Sequence, residues 1–176
     1  MRFQLKSISP QSIPAALARV ERYRLLNEPS LAESICLDIL AIIPDHQEAL
    51  ISLLLARTDQ FGSNVNAKAA HEVLAKITGE YERAYYAGIV WERMAHAHIH
   101  HGALGGASAA YHALRAAMSL YEEAANFSPP GNEDATLRWN TCARVIMKCA
   151  EGGLLDEDQL ADASVHYEAD SRIGDA

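Results

Sequence analysis

Helix-breaking residues divide this chain at short intervals, and that punctuation limits the possible fold more than any other feature. Pro10, Pro29, Pro44, Gly79, Gly102, the Pro129-Pro130-Gly131 run and the Gly152-Gly153 pair bound segments whose apolar residues recur at three- and four-residue spacing. Proline lacks the backbone N–H and clashes with the preceding turn, and the residue before it is pushed out of the α region, so a helix stops there. Between the stops the periodicity predicts helices over about 11–26, 30–43, 46–57, 67–78, 80–101, 107–127 and 133–150, with a short last one over 156–167. Ser30 with Glu33, and Asp45 with Glu48, fit the capping box in which side chains satisfy orphan N–H groups at a helix start. Asn132 is placed to cap the seventh helix. No segment shows the strict alternation of a strand. Most connections are short, so successive helices are expected to be antiparallel neighbours.

The composition agrees. Hydrophobic residues at 49% and charged residues at 22% give a globular balance, with alanine abundant and β-branched residues scattered. The net charge of −8 leaves no basic stripe to neutralise phosphates, so neither nucleic acid nor an anionic membrane is an expected partner. The chain has no run of the roughly 18 apolar residues that a spanning helix needs. Residues 1–9 lack the apolar core of a secretion signal. The three cysteines, Cys36, Cys142 and Cys149, are an odd set without CxxC spacing, which points away from a disulfide framework or structural zinc and towards a reducing cytoplasm.

A pattern recurs within the helices. Ala32, Cys36, Ile39 and Pro44 follow one another at intervals of four, three and five, and Ala117, Tyr121, Ala124 and Pro129 repeat those intervals. Ala70, Leu74 and Ile77 give the same start, with Glu82 where the proline would stand. This resembles the second helix of the tetratricopeptide repeat, whose period is about 34 residues. Counting back from Ala32 starts one repeat at Ile13 and the next at Gln47, with Tyr23 on the family's aromatic position and Leu50, Leu53 and Leu54 on its first-helix core positions. The sequence departs from the family at Ala16, where a tryptophan-like residue is usual, and at Arg19-Val20 in place of Leu-Gly. Ile39 stands where a second small residue is usual, the second repeat carries an insertion, and the third pair is stretched. The resemblance implies an all-α fold: antiparallel helix pairs over about 11–43, 46–78 and 80–127 and a final helix over 133–150, stacked as a short right-handed solenoid of about seven helices. Residues 1–150 would form this repeat domain and 151–176 an acidic tail or capping helix.

The resemblance also implies a function. First helices of such pairs line a concave groove that binds a segment of another protein, so the expected role is protein–protein interaction, not catalysis, and no cofactor is expected. Tyr86, Arg93, His96 and His100 lie at helical spacing on the fifth helix, and Arg138, Asn140 and Arg144 on the seventh. Arg and Asn are suited to clasping a carboxylate or peptide backbone, which makes these residues the expected groove. A homodimer that buries its groove or end repeats is the alternative. A third reading takes Glu92, His96 and His100, one turn apart in succession, as a ligand set for zinc or a similar ion. Against it, no HExxH or Glu-x-x-His occurs at this cluster, and histidines near a helix C-terminus are also favoured by the macrodipole. GxSxG, GxxxxGK and GxGxxG are absent as well.

Overall fold

The computed structural model describes residues 3–62, 67–101 and 106–153, together with Leu155 and Asp158. Among these residues the chain is all-α, without a strand. A 3-10 turn (Pro10–Ser12) leads into α1 (Ile13–Leu25), α2 (Pro29–Leu40), α3 (Gln47–Thr58), α4 (Ala67–Leu74), α5 (Glu80–His101), α6 (Gly106–Asn126) and α7 (Asp134–Glu151). No helix is long and apolar enough to cross a membrane. The contacts cluster into two units, Met1–Tyr86 and Ala87–Ala176, with the division falling inside α5.

In the first unit α1, α2, α3 and α4 pack in chain order, each on the next, and α1 also meets α3. Ile13 and Ala16 of α1, Ile39 of α2 and Ala49 of α3 form one buried cluster, with Ile8, Leu17, Ile35 and Leu40 packed around it. Ala32, Cys36 and Ala70, small residues of the recurrent pattern, are wholly buried. Polar side chains tie the helices together. Arg57 on α3 donates from Nε to Glu33 Oε1 of α2 at 2.9 Å and from Nη1 to the Ala69 carbonyl of α4 at 2.8 Å. Gln60 donates to the other Glu33 oxygen at 2.9 Å. Gln47 Oε1 accepts from the Thr78 N–H at 2.9 Å and so holds the segment that follows α4.

Three local expectations are corrected. The capping box at Ser30 does not form: Glu28 stands at the N-cap of α2, Pro29 takes the first helical position, where its missing N–H costs nothing, and the Glu33 carboxylate goes to Arg57 and Gln60 instead. At α3 the cap is His46, whose Nδ1 accepts from the Ala49 N–H, and not Asp45. Helix α4 ends at Leu74, short of residue 78, because i→i+3 bonds from the N–H groups of Lys76 and Ile77 tighten its exit. One turn was not anticipated. After α1, Asn27 adopts φ +58°, with the Glu28 N–H bonded to the Tyr23 carbonyl and the Asn27 N–H to that of Arg24, the paired closure of a Schellman motif.

In the second unit α6 packs along α7. Ala110, Ala113, Ala117 and Ala124 put a run of small buried side chains on α6, and Ala135, Cys142 and Ile146 form the buried face of α7. Gly88 on α5 lies flush against the Tyr121 ring: a Cβ built there would stand 2.5 Å from Tyr121 Cε1. Asn132 Oδ1 accepts from the Asp134 N–H at 3.0 Å at the start of α7, where Glu133 and not Asn132 holds the N-cap position. The expected helix over 156–167, and most of the acidic tail, lie outside the described residues.

Candidate functional site

Helix α1 has two faces. Ile13, Ala16 and Val20 point into the core, while Pro14, Leu17, Glu21 and Arg24, again three and four apart, stay at least partly accessible. Helix α3 divides in the same way, with Ala49, Leu50, Leu53, Leu54 and Ala56 buried and Glu48 and Ser52 accessible. Because α1 and α3 meet, their accessible stripes flank a half-open groove of about 580 Å³. Ile13, Leu17 and Val20 supply its apolar floor. Glu21, Arg24, His46, Glu48 and Ser52 supply its polar lining. That volume lies within the roughly 300–1,000 Å³ usual for a ligand cleft.

The charges in this groove are unequal. Arg24 donates from Nε to Asp59 Oδ2 at 2.9 Å, so its positive charge is answered within the protein. The carboxylates of Glu21 and Glu48, one on each wall, form no hydrogen bond or ion pair among the described residues. His46 caps α3 through Nδ1, which accepts from the Ala49 N–H at 3.4 Å. Among the described residues the groove therefore offers an apolar floor, two carboxylates without an ion-pair partner and few positive groups, a lining suited to an apolar segment carrying Lys or Arg.

The residues anticipated on α5 and α7 are placed differently. Tyr86 falls in the first unit, packed edge-on against Tyr85 with ring centroids 5.3 Å apart. Arg93 is half-buried and engaged within the protein. His96 and Asn140 are half-buried, and His100 and Arg144 exposed. Arg138 is a clamp. It donates to Glu92 Oε1 at 2.9 Å, while the Tyr121 hydroxyl donates to Glu92 Oε2 at 2.6 Å. Glu92 is only 4% exposed, so this network joins α5, α6 and α7 around one buried carboxylate. With both oxygens so engaged, Glu92 is not presented to His96 and His100, and no three metal-ligating side chains converge among the described residues.

The buried titratable groups are quiet ones. Burial, with the negative charge of Glu92 and the hydrogen bond to it, pushes the Tyr121 hydroxyl well above the usual phenol range. Cys142 is pushed up to about 12, first by burial and then by Glu92. Cys36 is pushed up to about 12 by burial above all. Both thiols thus stay protonated and weakly nucleophilic at neutral pH.

The sequence does carry a signal for the α1 stripe, since Pro14, Leu17, Glu21 and Arg24 keep helical spacing on a face adjoining the core. What was missing was the contact between α1 and α3. In comparisons with known proteins no family model matches the sequence, and no curated protein or solved structure matches it either.

Proposed function

We propose that this chain is a protein-interaction module of the tetratricopeptide type, and that α1 and α3, the first helices of its first two pairs, line a groove that takes an extended segment of a protein partner. In this reading the chain binds and does not catalyse. The observation that carries it is the groove of about 580 Å³ between α1 and α3, with Glu21 and Glu48, whose carboxylates no described residue pairs with, on opposite walls. The repeat reading is supported by chain-order packing of α1 to α4, by the α1–α3 contact and by the burial of Ala32, Ala70 and Ala117. The preferred ligand is an apolar segment bearing a cation, held between the two carboxylates. Three cysteines without a disulfide suit work in a reducing cytoplasm.

Selection from a displayed random-peptide library tests this. Recovered peptides should combine Lys or Arg with apolar residues. Ala18 lines the groove and is exposed, so Ala18→Trp fills the groove without entering the core. This variant should keep the wild-type circular dichroism and melting temperature and lose the selected peptides. Peptides that bind A18W and wild type equally well would contradict the proposal.

A further inference from the structure

Ahead of α1, residues 3–9 lie outside any helix. Within this arm Phe3 is 79% exposed and Leu5 83%, higher than most large apolar side chains of the protein. A single exposed apolar residue is ordinary, but two in a short arm that also carries Lys6 form an amphipathic strip. The arm is anchored at its base. Ile8 packs against the cluster of Ile13, Ala16, Ile39 and Ala49, and Phe3 and Leu5 stand clear of it.

We propose that the groove between α1 and α3 receives the 3–9 arm of a second copy of this chain. The inference rests on the groove reading and names the groove's occupant. In an extended bound segment alternate side chains point to opposite sides, so Phe3 and Leu5 face one way and Gln4 and Lys6 the other. The apolar pair matches the floor of Ile13, Leu17 and Val20. The cation of Lys6 matches the carboxylates of Glu21 and Glu48, whose charges no described residue answers, whereas Arg24 is already taken by Asp59. Charge complementarity matters in a chain of net charge −8, because two copies otherwise repel. The arm places its positive charge where the receiving copy is negative. Reciprocal exchange, each copy giving an arm and accepting one, closes the assembly as a two-fold dimer with both grooves filled.

Sedimentation velocity of the full chain over a wide concentration range tests this, with two variants that spare the core. Phe3→Ser with Leu5→Ser disables the arm, and Glu21→Lys with Glu48→Lys disables the groove. Wild type should dimerise as concentration rises, and raised salt should weaken the dimer. Each variant alone should be monomeric at concentrations where wild type is dimeric. Mixed together they should form a one-armed heterodimer, since one brings an intact groove and the other an intact arm. A labelled peptide of residues 2–9 should bind F3S/L5S roughly tenfold or more tightly than it binds a chain that also carries E21K/E48K. A wild type that stays monomeric, or a dimer that survives either variant, overturns the inference. If library peptides still bind that protein and are lost in A18W, the groove reading stands without this occupant. If they are not, both fall.

Discussion

Glu92 places a carboxylate where water scarcely reaches, and its two donors differ in kind. Tyr121 gives a neutral hydrogen bond, and Arg138 a charged one. Removing one donor strands an oxygen in the interior, which costs more than the bond itself contributed. Tyr121→Phe should therefore lower the unfolding free energy by about 1–3 kcal/mol in urea titrations, with the m-value unchanged. No loss would mean that the network is not formed in solution. The thiols make a second test at this scale. Cys36 and Cys142 are held near 12 in the fold against 9.0 for an ordinary thiol, so above pH 9 the unfolded chain releases protons that the folded one retains. The contribution is complete below pH 9 and is lost as pH rises towards 12, so stability should fall over that window. A variant with alanine at both positions should show a shallower fall, and equal slopes would contradict the assignment. Spacing alone set Glu92 beside His96 and His100, since all three sit on one helix. The residues that hold Glu92 come 29 and 46 positions later, beyond what any local pattern reports.

At the scale of elements, the close approach of α5 to α6 depends on Gly88. Alanine there would gain helix propensity of roughly 1 kcal/mol. Its Cβ would also stand 2.5 Å from Tyr121 Cε1, on a ring that is 1% exposed and fixed through its hydroxyl to Glu92. Overpacking of this kind costs about 1–3 kcal/mol, so Gly88→Ala should destabilise in spite of the propensity gain, read as a lower melting temperature. A rise would show that α5 can move away from Tyr121. Helix positions were legible because proline and glycine stops are local and strong: α2, α5, α6 and α7 begin and end within a few residues of the sequence reading. Caps were less so. Ser30 and Asp45 satisfy the pattern, yet Pro29 and His46 take the helix starts, and Glu33 is drawn across to Arg57 by a contact between helices. The end of α1 escaped notice because asparagine is a less conspicuous left-handed terminator than glycine.

At the scale of the whole molecule, the all-α architecture follows from alanine-rich segments cut at short intervals, and it was readable from the chain alone. The candidate site was not. Many faces of a multi-helix protein carry polar residues at helical spacing, and only packing decides which two of them come to share a groove. In the sequence α5 and α7 stand out, because aromatic, Arg and His residues are conspicuous there. The groove formed between α1 and α3, where Leu17, Glu21, Glu48 and Ser52 are individually ordinary. The most direct test is nitrogen-15 NMR titration of the full chain, carrying F3S/L5S, with a peptide that pairs Lys or Arg with apolar residues. The amides of Leu17, Glu21, Arg24, His46, Glu48 and Ser52 should shift together, and E21K/E48K should abolish the shifts. Shifts confined to Arg93, His96, Asn140 and Arg144, or none at all, would contradict the account.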